Sequence, residues 1–365
     1  MKKYSMKKRI TGAILGLSMA GLLCGCGGEE EKTADGYAKE IYLYNWSEYM
    51  TQEVLDLFEE EYGIKVVQST FESNDELLAK LVAGGDSGEY DIAVPTNYYL
   101  SALVDNDLVA EIDHSKLTNI GNIDEAYMNL PFDEGNKYSI PYMGTVGVWI
   151  GNEKILDELG MEIHTLQDLT DPKLEGNIIM TDDAQEIMEQ GLMGAGYEPT
   201  STDLEELTAA KEFLLSINSN VKSYSTTVDV RDAMAKGEAA VANMYSGEAL
   251  QALEANPDLG VVMDEEQCSL SLDSFVVLKN SKHKEEAMLF IDFCLRPDIA
   301  AKLANEYKFV CFNKAAIPEL EEELASNPLC VLTDDLKNRT YCINEVNSEL
   351  LSAEVDALTE IKTAR

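Results

Sequence analysis

Residues 40–95 read EIYLYNWSEYMTQEVLDLFEEEYGIKVVQSTFESNDELLAKLVAGGDSGEYDIAVP. Three apolar runs in this stretch, Glu40–Tyr44, Ile64–Phe71 and Tyr90–Val94, have the composition of β-strands, and the segments between them have helical periodicity. Consecutive strands that alternate with helices form a parallel sheet with right-handed crossovers. We therefore predict a βαβαβ unit whose first and third strands end at the same edge of a sheet.

The two intervening segments carry helix boundary signals. Thr51–Tyr62 has one apolar face and is followed by Gly63, which is typical of a helix C-terminus. Ser73-Asn74-Asp75-Glu76 has the form of a capping box, so we predict that it opens a second helix.

The same alternation continues beyond Gly144. A chain of about 330 residues after the N-terminal region is too long for one compact core, which favours two lobes. Neither an internal repeat nor a low-complexity linker separates the halves, which indicates that the chain crosses between the lobes more than once. Further strands are expected at Val146–Ile150, Asn177–Thr181, Ala239–Tyr245 and Ser274–Leu278, and further helices at Asp183–Leu192, Leu204–Ile217, Lys284–Leu295 and Asn347–Ile361.

The N-terminal residues have the pattern of a bacterial export signal. A basic start precedes the apolar run Ile10–Leu23, which is too short to span a bilayer comfortably. Cys26 follows a small residue, as in the lipobox of bacterial lipoproteins. We predict a lipoprotein signal peptide at 1–25, lipid attachment at Cys26 and a tether over 26–37, so that the protein is extracytoplasmic and held to a membrane by lipid alone. The alternative is an ordinary secretory signal with an incidental cysteine.

The charge balance excludes one class of partner and favours another. The formal net charge is −39, and because residues 1–25 hold five basic residues and no acidic ones, their removal leaves 23 basic residues against 67 acidic residues. Nucleic-acid binding depends on Lys and Arg that neutralise phosphates, so we expect no nucleic-acid partner. A strongly acidic protein attracts cations over long distances.

Cysteine and histidine spacing matches no known metal-site pattern, and we expect neither a metal nor a cofactor. Five cysteines follow Cys26 and leave any disulfide pairing open: Cys268, Cys294, Cys311, Cys330 and Cys342.

The first predicted strand runs into Trp46-Ser47-Glu48-Tyr49, which places a carboxylate between aromatic side chains. Ligands of α/β proteins bind at the carboxyl ends of strands. A carboxylate pairs with an ammonium group, and an aromatic face attracts the same cation. The alternative is a strand end with two core aromatics and a solvated Glu48.

Three more acidic residues are candidates for a cation site. Asp183 and Glu186 follow a predicted strand and share one helix face, although the same pair also fits a helix cap, which the spacing alone favours. Asp273 directly precedes a predicted apolar strand and either faces a cleft or is a solvated strand start.

The chain resembles the bacterial spermidine/putrescine-binding proteins, the extracytoplasmic solute receptors of polyamine ABC transporters. The resemblance covers residues 38–365 and is densest in five segments: Tyr44–Tyr49, Phe71–Asn74, Tyr90–Tyr99, Tyr138–Tyr142 and Thr181–Ala184.

The resemblance implies a role for each matching position. Trp46, Ser47, Glu48 and Tyr49 correspond to the first ligand loop of the family, and Thr96 and Tyr98 to the second. Asp183 and Glu186 correspond to the acids that receive one terminal amine, Asp273 to the acid that pairs with an inner amine, and Tyr245 to an aromatic wall. Glu48 would then hold the other end of the ligand.

Three positions depart from the family pattern. Ser271 stands where the family usually has a tryptophan, Phe309 replaces a tyrosine, and Cys342 replaces a glutamine in a looser alignment. Loss of an indole wall removes about 1–2 kcal/mol of cation–π and contact energy. The ligand class is therefore better defined than the preferred amine.

We predict an α/β, two-lobe periplasmic-binding-protein fold of type II, with lobe one at 38–143 plus 268–311 and lobe two at 144–267 plus 312–365. The expected function is that of a monomeric receptor, without catalytic residues, that binds a polyamine between the lobes and delivers it to the permease subunits of an ABC transporter. Alternatives are a receptor for another organic cation, a receptor for ferric iron through Tyr98-Tyr99, or a secreted hydrolase that uses two carboxylates.

Overall fold

A computed structural model describes residues 32–342 and 348–364. The predicted signal peptide at 1–25, the lipidation site Cys26 and the first part of the tether lie outside the described residues. Within the described ranges, no helix is both long enough and apolar enough to cross a membrane.

The strands belong to one mixed sheet. Its order is β2-β1-β3-β9-β4-β7-β5-β6, with β10 beside β9 and β8 beside β4. The strands described are β1 (Glu40–Trp46), β2 (Lys65–Phe71), β3 (Ile92–Ala93), β4 (Ile140–Asn152), β5 (Ile178–Thr181), β6 (Val221–Ser225), β7 (Val241–Tyr245), β8 (Leu259–Val262), β9 (Cys268–Val277) and β10 (Thr340–Cys342).

Helices connect and cover these strands. They are α1 (Gln52–Tyr62), α2 (Asn74–Gly84), α3 (Leu100–Asp105), α4 (Glu153–Leu159), α5 (Ala184–Gly194), α6 (Leu204–Ile217), α7 (Thr227–Ala235), α8 (Ser246–Ala255), α9 (Lys284–Cys294), α10 (Pro297–Tyr307), α11 (Glu322–Ala325), α12 (Asp334–Arg339) and α13 (Ser348–Thr363).

The predicted βαβαβ unit is confirmed at the first end of the sheet. Strand β1 pairs in parallel with both β2 and β3. Helix α1 begins after the cap Thr51, whose hydroxyl accepts a bond from the Val54 N–H, and ends at Gly63 with φ of 67°. Helix α2 begins after Ser73, which accepts from the Glu76 N–H. The Glu76 carboxylate accepts from the Glu72 N–H, so the predicted reciprocal capping box is not formed.

The second end of the sheet contains β7, β5 and β6. Strand β5 pairs in parallel with β6 and β7. Its helices pack around a separate apolar core that includes Trp149, Leu192 and Leu214.

Two long strands join the ends. Strands β4 and β9 pair antiparallel; β9 also pairs with β3 in the first end, and β4 with β7 in the second. Both strands are longer than the sequence predicts. The prediction followed continuous apolar runs, whereas these strands also contain buried Gly, Ser or Asp residues. The prediction that Asp273 precedes its strand is therefore wrong: Asp273 lies inside β9 and is 3% exposed.

The C-terminal helix α13 has one buried face. It buries Leu350, Leu358 and Ile361, whereas Val355 is exposed. Phe312, which follows α10, contacts the segment before β4, since its carbonyl accepts a hydrogen bond from the Asp124 N–H. The five described cysteines are free thiols, and Cys342 alone among them is only partly buried.

Candidate functional site

A cavity of about 300 Å³ lies between groups from both ends of the sheet. Six strands deliver side chains to it from their carboxyl ends or the segments that follow: β1, β2, β3, β5, β6 and β7. Strand ends at one edge of an α/β sheet are where ligand sites form. Ten of the twelve predicted binding residues line the cavity: Trp46, Ser47, Glu48, Tyr49, Thr96, Tyr98, Asp183, Tyr245, Ser271 and Asp273.

Asp273 is held in the wall of the cavity by two hydroxyl groups. The Tyr49 Oη donates to its Oδ2 at 2.7 Å, and the Thr96 Oγ1 donates to its Oδ1 at 2.6 Å. Burial raises the pKa of Asp273 to about 6, and the two hydrogen bonds oppose that rise. An ammonium group in the cavity would favour the ionised form and recover the cost of burial.

Asp183 combines both roles that its sequence position allows. Its Oδ1 accepts a hydrogen bond from the Glu186 N–H at 3.1 Å, so it is the N-cap of α5. The same side chain lines the cavity. Burial raises its pKa, while the N–H groups of the first helical turn lower it. A cap leaves carboxylate lone pairs available for a cation.

Glu186 lies behind Asp183 and does not line the cavity. It is 2% exposed, and its Oε2 accepts from the Ser269 hydroxyl at 2.9 Å. Its Oε1 is buried without a hydrogen-bond partner among the described residues. Burial, and then the charge of Asp183, raise the pKa of Glu186 to about 8. The two acids therefore share a strongly electronegative corner that disfavours two negative charges at once.

Glu48 already has a cationic partner. Its Oε2 lies 3.0 Å from Nη1 of Arg231, which belongs to α7 near the other end of the sheet. Asp182, another cavity residue, is paired with Lys362. No comparable ion pair to Asp183, Glu248 or Asp273 occurs within 32–342 and 348–364.

The aromatic side chains pack in layers around the cavity. The ring centroids of Trp46 and Phe71 lie 4.5 Å apart, and those of Tyr49 and Phe309 lie 4.6 Å apart. Phe309 is 2% exposed and does not reach the cavity, so it supports Tyr49 from behind. Gly247 permits this packing, because a Cβ there would lie 2.1 Å from the Phe309 ring. Trp46, Tyr49, Tyr98 and Tyr245 present rings or phenol groups to the cavity.

Glu248 is the main residue that sequence reasoning missed. It lines the cavity from the first turn of α8, and its Oε2 is buried without a hydrogen-bond partner among the described residues. Burial raises its pKa to about 7. The signal was present in the sequence, because Glu248 follows the predicted strand end Tyr245 by three residues. Asn74, which positions Thr96 by accepting its N–H at 3.1 Å, was also missed.

The adjacent phenols Tyr98 and Tyr99 have different surroundings. Tyr98 lines the cavity and receives a hydrogen bond from the Asn74 amide at 3.3 Å, whereas the Tyr99 Oη donates to Asp75 at 2.5 Å. Burial raises the pKa of both phenols. Within the described chain, no group of three or more His, Cys, Asp or Glu side chains is arranged to hold a metal ion.

The sequence and fold were compared with those of known proteins. The family model described as bacterial extracellular solute-binding protein matches residues 53–331, more than half of the chain. The chain belongs to this family. As a solute-binding protein of this kind, it is extracytoplasmic.

Individual relatives agree with the family match. The spermidine/putrescine-binding periplasmic protein of Escherichia coli (strain K12) is 34% identical over 329 residues, covering 90% of this chain and 89% of the relative. A solved structure described as a putative spermidine/putrescine ABC transporter from Listeria monocytogenes is 33% identical, covers 90% of this chain and 100% of its own, and has a TM-score of 0.83. The spermidine/putrescine substrate-binding protein PotD from Streptococcus pneumoniae, 29% identical, gives a TM-score of 0.78 with 89% and 99% coverage.

These comparisons confirm the family resemblance found in the sequence and the two-lobe α/β fold of this solute-binding protein.

Proposed function

We propose that this solute-binding protein is the extracytoplasmic receptor of a polyamine ABC transporter and that it binds a di- or polyamine in the cavity between the ends of the sheet. One observation carries the proposal: Asp183, Glu248 and Asp273 line one cavity together with aromatic side chains, and none of the three has a cationic partner among the described residues. The names of the relatives support the same ligand class.

The chemistry of an alkyl diamine matches this arrangement. Each ammonium group has three donors and no acceptor, so it is satisfied by carboxylates rather than by amides or hydroxyls alone. Aromatic rings also cover the methylenes between the ammonium groups of a diamine. Trp46 and Tyr245 line the cavity and would supply such rings. We assign one ammonium group to Asp183, with Glu186 behind it, and the next to Asp273.

Three further parts of the proposal follow the sequence predictions. The lobes comprise 38–143 plus 268–311 and 144–267 plus 312–365, and they close on the ligand before the monomer docks on the permease. Cys26 carries the lipid that holds the protein at the membrane. The protein performs no chemical step, since its carboxylates bind the ligand rather than exchange protons with a scissile bond.

Ferric iron is a weaker ligand for this site. Iron receptors of this kind use phenolates, and burial keeps the phenols of Tyr98 and Tyr99 protonated by raising their pKa values. Their hydroxyl groups also face different partners, Asn74 and Asp75.

Titration calorimetry on the domain from residue 32 onward tests the proposal. Putrescine, spermidine, cadaverine, agmatine, choline and a basic amino acid are titrated at pH 8. We expect submicromolar to micromolar binding of at least one di- or polyamine and weak binding of choline, which has no N–H donor. The absence of heat with every di- and polyamine at submillimolar concentration would refute the proposed function.

A further inference from the structure

The ion pair between Glu48 and Arg231 connects a residue that lines the cavity with helix α7. Arg231 Nη1 lies 3.0 Å from Glu48 Oε2 and 2.9 Å from Gln251 Oε1, and Arg231 Nε lies 3.0 Å from Asp232 Oδ1. The Arg231 side chain is 16% exposed, whereas that of Glu48 is 53% exposed. The cation is thus the anchored member of the pair, held by three acceptors, and the carboxylate is the exposed one.

The backbone positions of Arg231 and Glu48 bring their side chains together. Thr227 and Val228, which line the cavity, lie four and three residues before Arg231 and so share its face of α7. Glu48 has φ of 54°, a left-handed conformation that is uncommon for a residue other than glycine. The loop after β1 holds Glu48 in this strained conformation, in reach of Arg231.

The ion pair leaves fewer cavity carboxylates without a cationic partner. Glu48 corresponds to the acid expected to hold one end of the ligand, but here its charge is already balanced by a guanidinium. Glu248 lines the same cavity and interacts electrostatically with Arg231, Glu48 and Asp273. Two regions therefore remain for ammonium groups: the corner of Asp183, and the region of Asp273 and Glu248.

We propose that Arg231 is a specificity-determining residue that limits ligand length by keeping a third ammonium group away from Glu48. The inference rests on the proposed function and deepens it. A diamine places one ammonium group in each of the two open regions. A triamine must place its third ammonium group beside Arg231, where like charges repel, or break the Arg231–Glu48 pair. The site thus selects diamines over triamines.

Calorimetry with putrescine and spermidine tests this assignment. The wild-type protein is expected to bind putrescine at least about tenfold more tightly than spermidine. Arg231→Gln frees Glu48, so the affinity for spermidine relative to putrescine should rise about tenfold or more, a change of about 1.4 kcal/mol. Arg231→Lys retains the cation and should retain the wild-type ratio.

Two controls separate this role from a structural one. Glu48→Gln combined with Arg231→Gln removes the acid that the third ammonium group would use, so the gain for spermidine should disappear. Arg296→Gln removes another arginine that is ion-paired with a glutamate, Glu61, outside the cavity, and should leave the ratio unchanged. Thermal unfolding of each variant shows whether it is folded, and the ratio of two affinities on one protein sample cancels any inactive fraction.

The outcomes are distinct. A wild-type preference for spermidine, or the same ratio in wild type and Arg231→Gln, would overturn the role of Arg231 while leaving polyamine binding intact. If wild type binds neither putrescine nor spermidine, this inference is wrong, and the proposed function is wrong as well only if no other di- or polyamine binds.

Discussion

The two ends of the cavity use the same kind of residue in opposite ways. At the Asp183 end, Asp183 and Glu186 are withdrawn from water beside each other without a cationic partner, and burial raises the pKa of both. At the Glu48 end, the carboxylate is exposed and paired with Arg231. An acid that already has its partner contributes little attraction to a ligand, whereas a buried acid without one gains most when a cation arrives. The difference shows that counting acids around a cavity does not measure its affinity for amines.

The largest expected effect is at the Asp183 end. Asp183→Asn removes the charge but keeps a good N-cap for α5, because asparagine caps helices as well as aspartate does. We expect amine affinity to fall by about 30-fold or more, which corresponds to about 2 kcal/mol or more for loss of a buried charge partner, with little change in stability.

Asp203→Asn is the matched control for this change. Asp203 caps α6 in the same manner, by accepting from the Glu205 and Glu206 N–H groups, but lies outside the cavity. It should leave affinity unchanged in calorimetry. If Asp183→Asn binds amines as wild type does, the Asp183 end is a structural cap and the comparison between the ends fails.

Glu248, which interacts electrostatically with Asp273 and with the Glu48–Arg231 pair, comes next. Glu248→Gln should lower diamine affinity about tenfold at pH 8, since it removes a carboxylate that has no ion-pair partner in the described chain. Glu254→Gln, on the same helix but ion-paired with Lys308, should have no measurable effect. An equal loss in both variants would assign the effect to general charge rather than to the cavity.

The pH dependence distinguishes the ends without mutation. The pKa values of Asp273, Glu248 and Glu186 are raised by burial to about 6, 7 and 8, so these groups hold protons at pH 6 that a bound cation must displace. Diamine affinity should therefore rise about tenfold or more from pH 6 to pH 8. Calorimetry in buffers of different ionisation enthalpy should show proton release on binding.

The same groups make the stability of the ligand-free protein depend on pH. Because their folded-state pKa values lie above their ordinary values, their contribution to stability is present below about pH 4 and is lost as the pH rises through 6 to 8. The melting temperature without ligand should fall over this range, and a saturating diamine should restore it. A ligand-free melting temperature that rises from pH 6 to 8 would contradict the buried, partly protonated state of these acids.

The smallest effect concerns the aromatic lining. Trp46→Phe retains a ring beside Glu48 but weakens the attraction for a cation, so affinity should fall only two- to fivefold. Trp149→Phe is the control, since Trp149 lies in the separate apolar core at the second end of the sheet, outside the cavity. Because the chain has two tryptophans, this control also leaves Trp46 as a single fluorescent reporter of binding.

Much of this architecture was predictable from local sequence. The boundaries of α1 follow from Thr51 and Gly63, and the site residues after β1, β3, β5 and β7 follow from where apolar runs end. The lengths of β4 and β9 were not predictable, since their buried polar residues are satisfied by partners far away in the chain, such as Thr96 for Asp273. The Glu48–Arg231 pair was also inaccessible, because it joins residues 183 positions apart and depends on the tertiary fold.

The continuity of β4 and β9 has a consequence for how the molecule can be divided. The first end of the sheet needs a strand that begins at residue 268, although its other three strands are complete by residue 93. An N-terminal fragment that ends before β9 therefore lacks the strand that joins β3 to β4. No single cut in the polypeptide separates one cavity wall from the other, and contacts this distant in sequence form slowly. We therefore expect the cavity to assemble late in folding, and a fragment that lacks β9 would also lack Ser271 and Asp273 in the cavity wall.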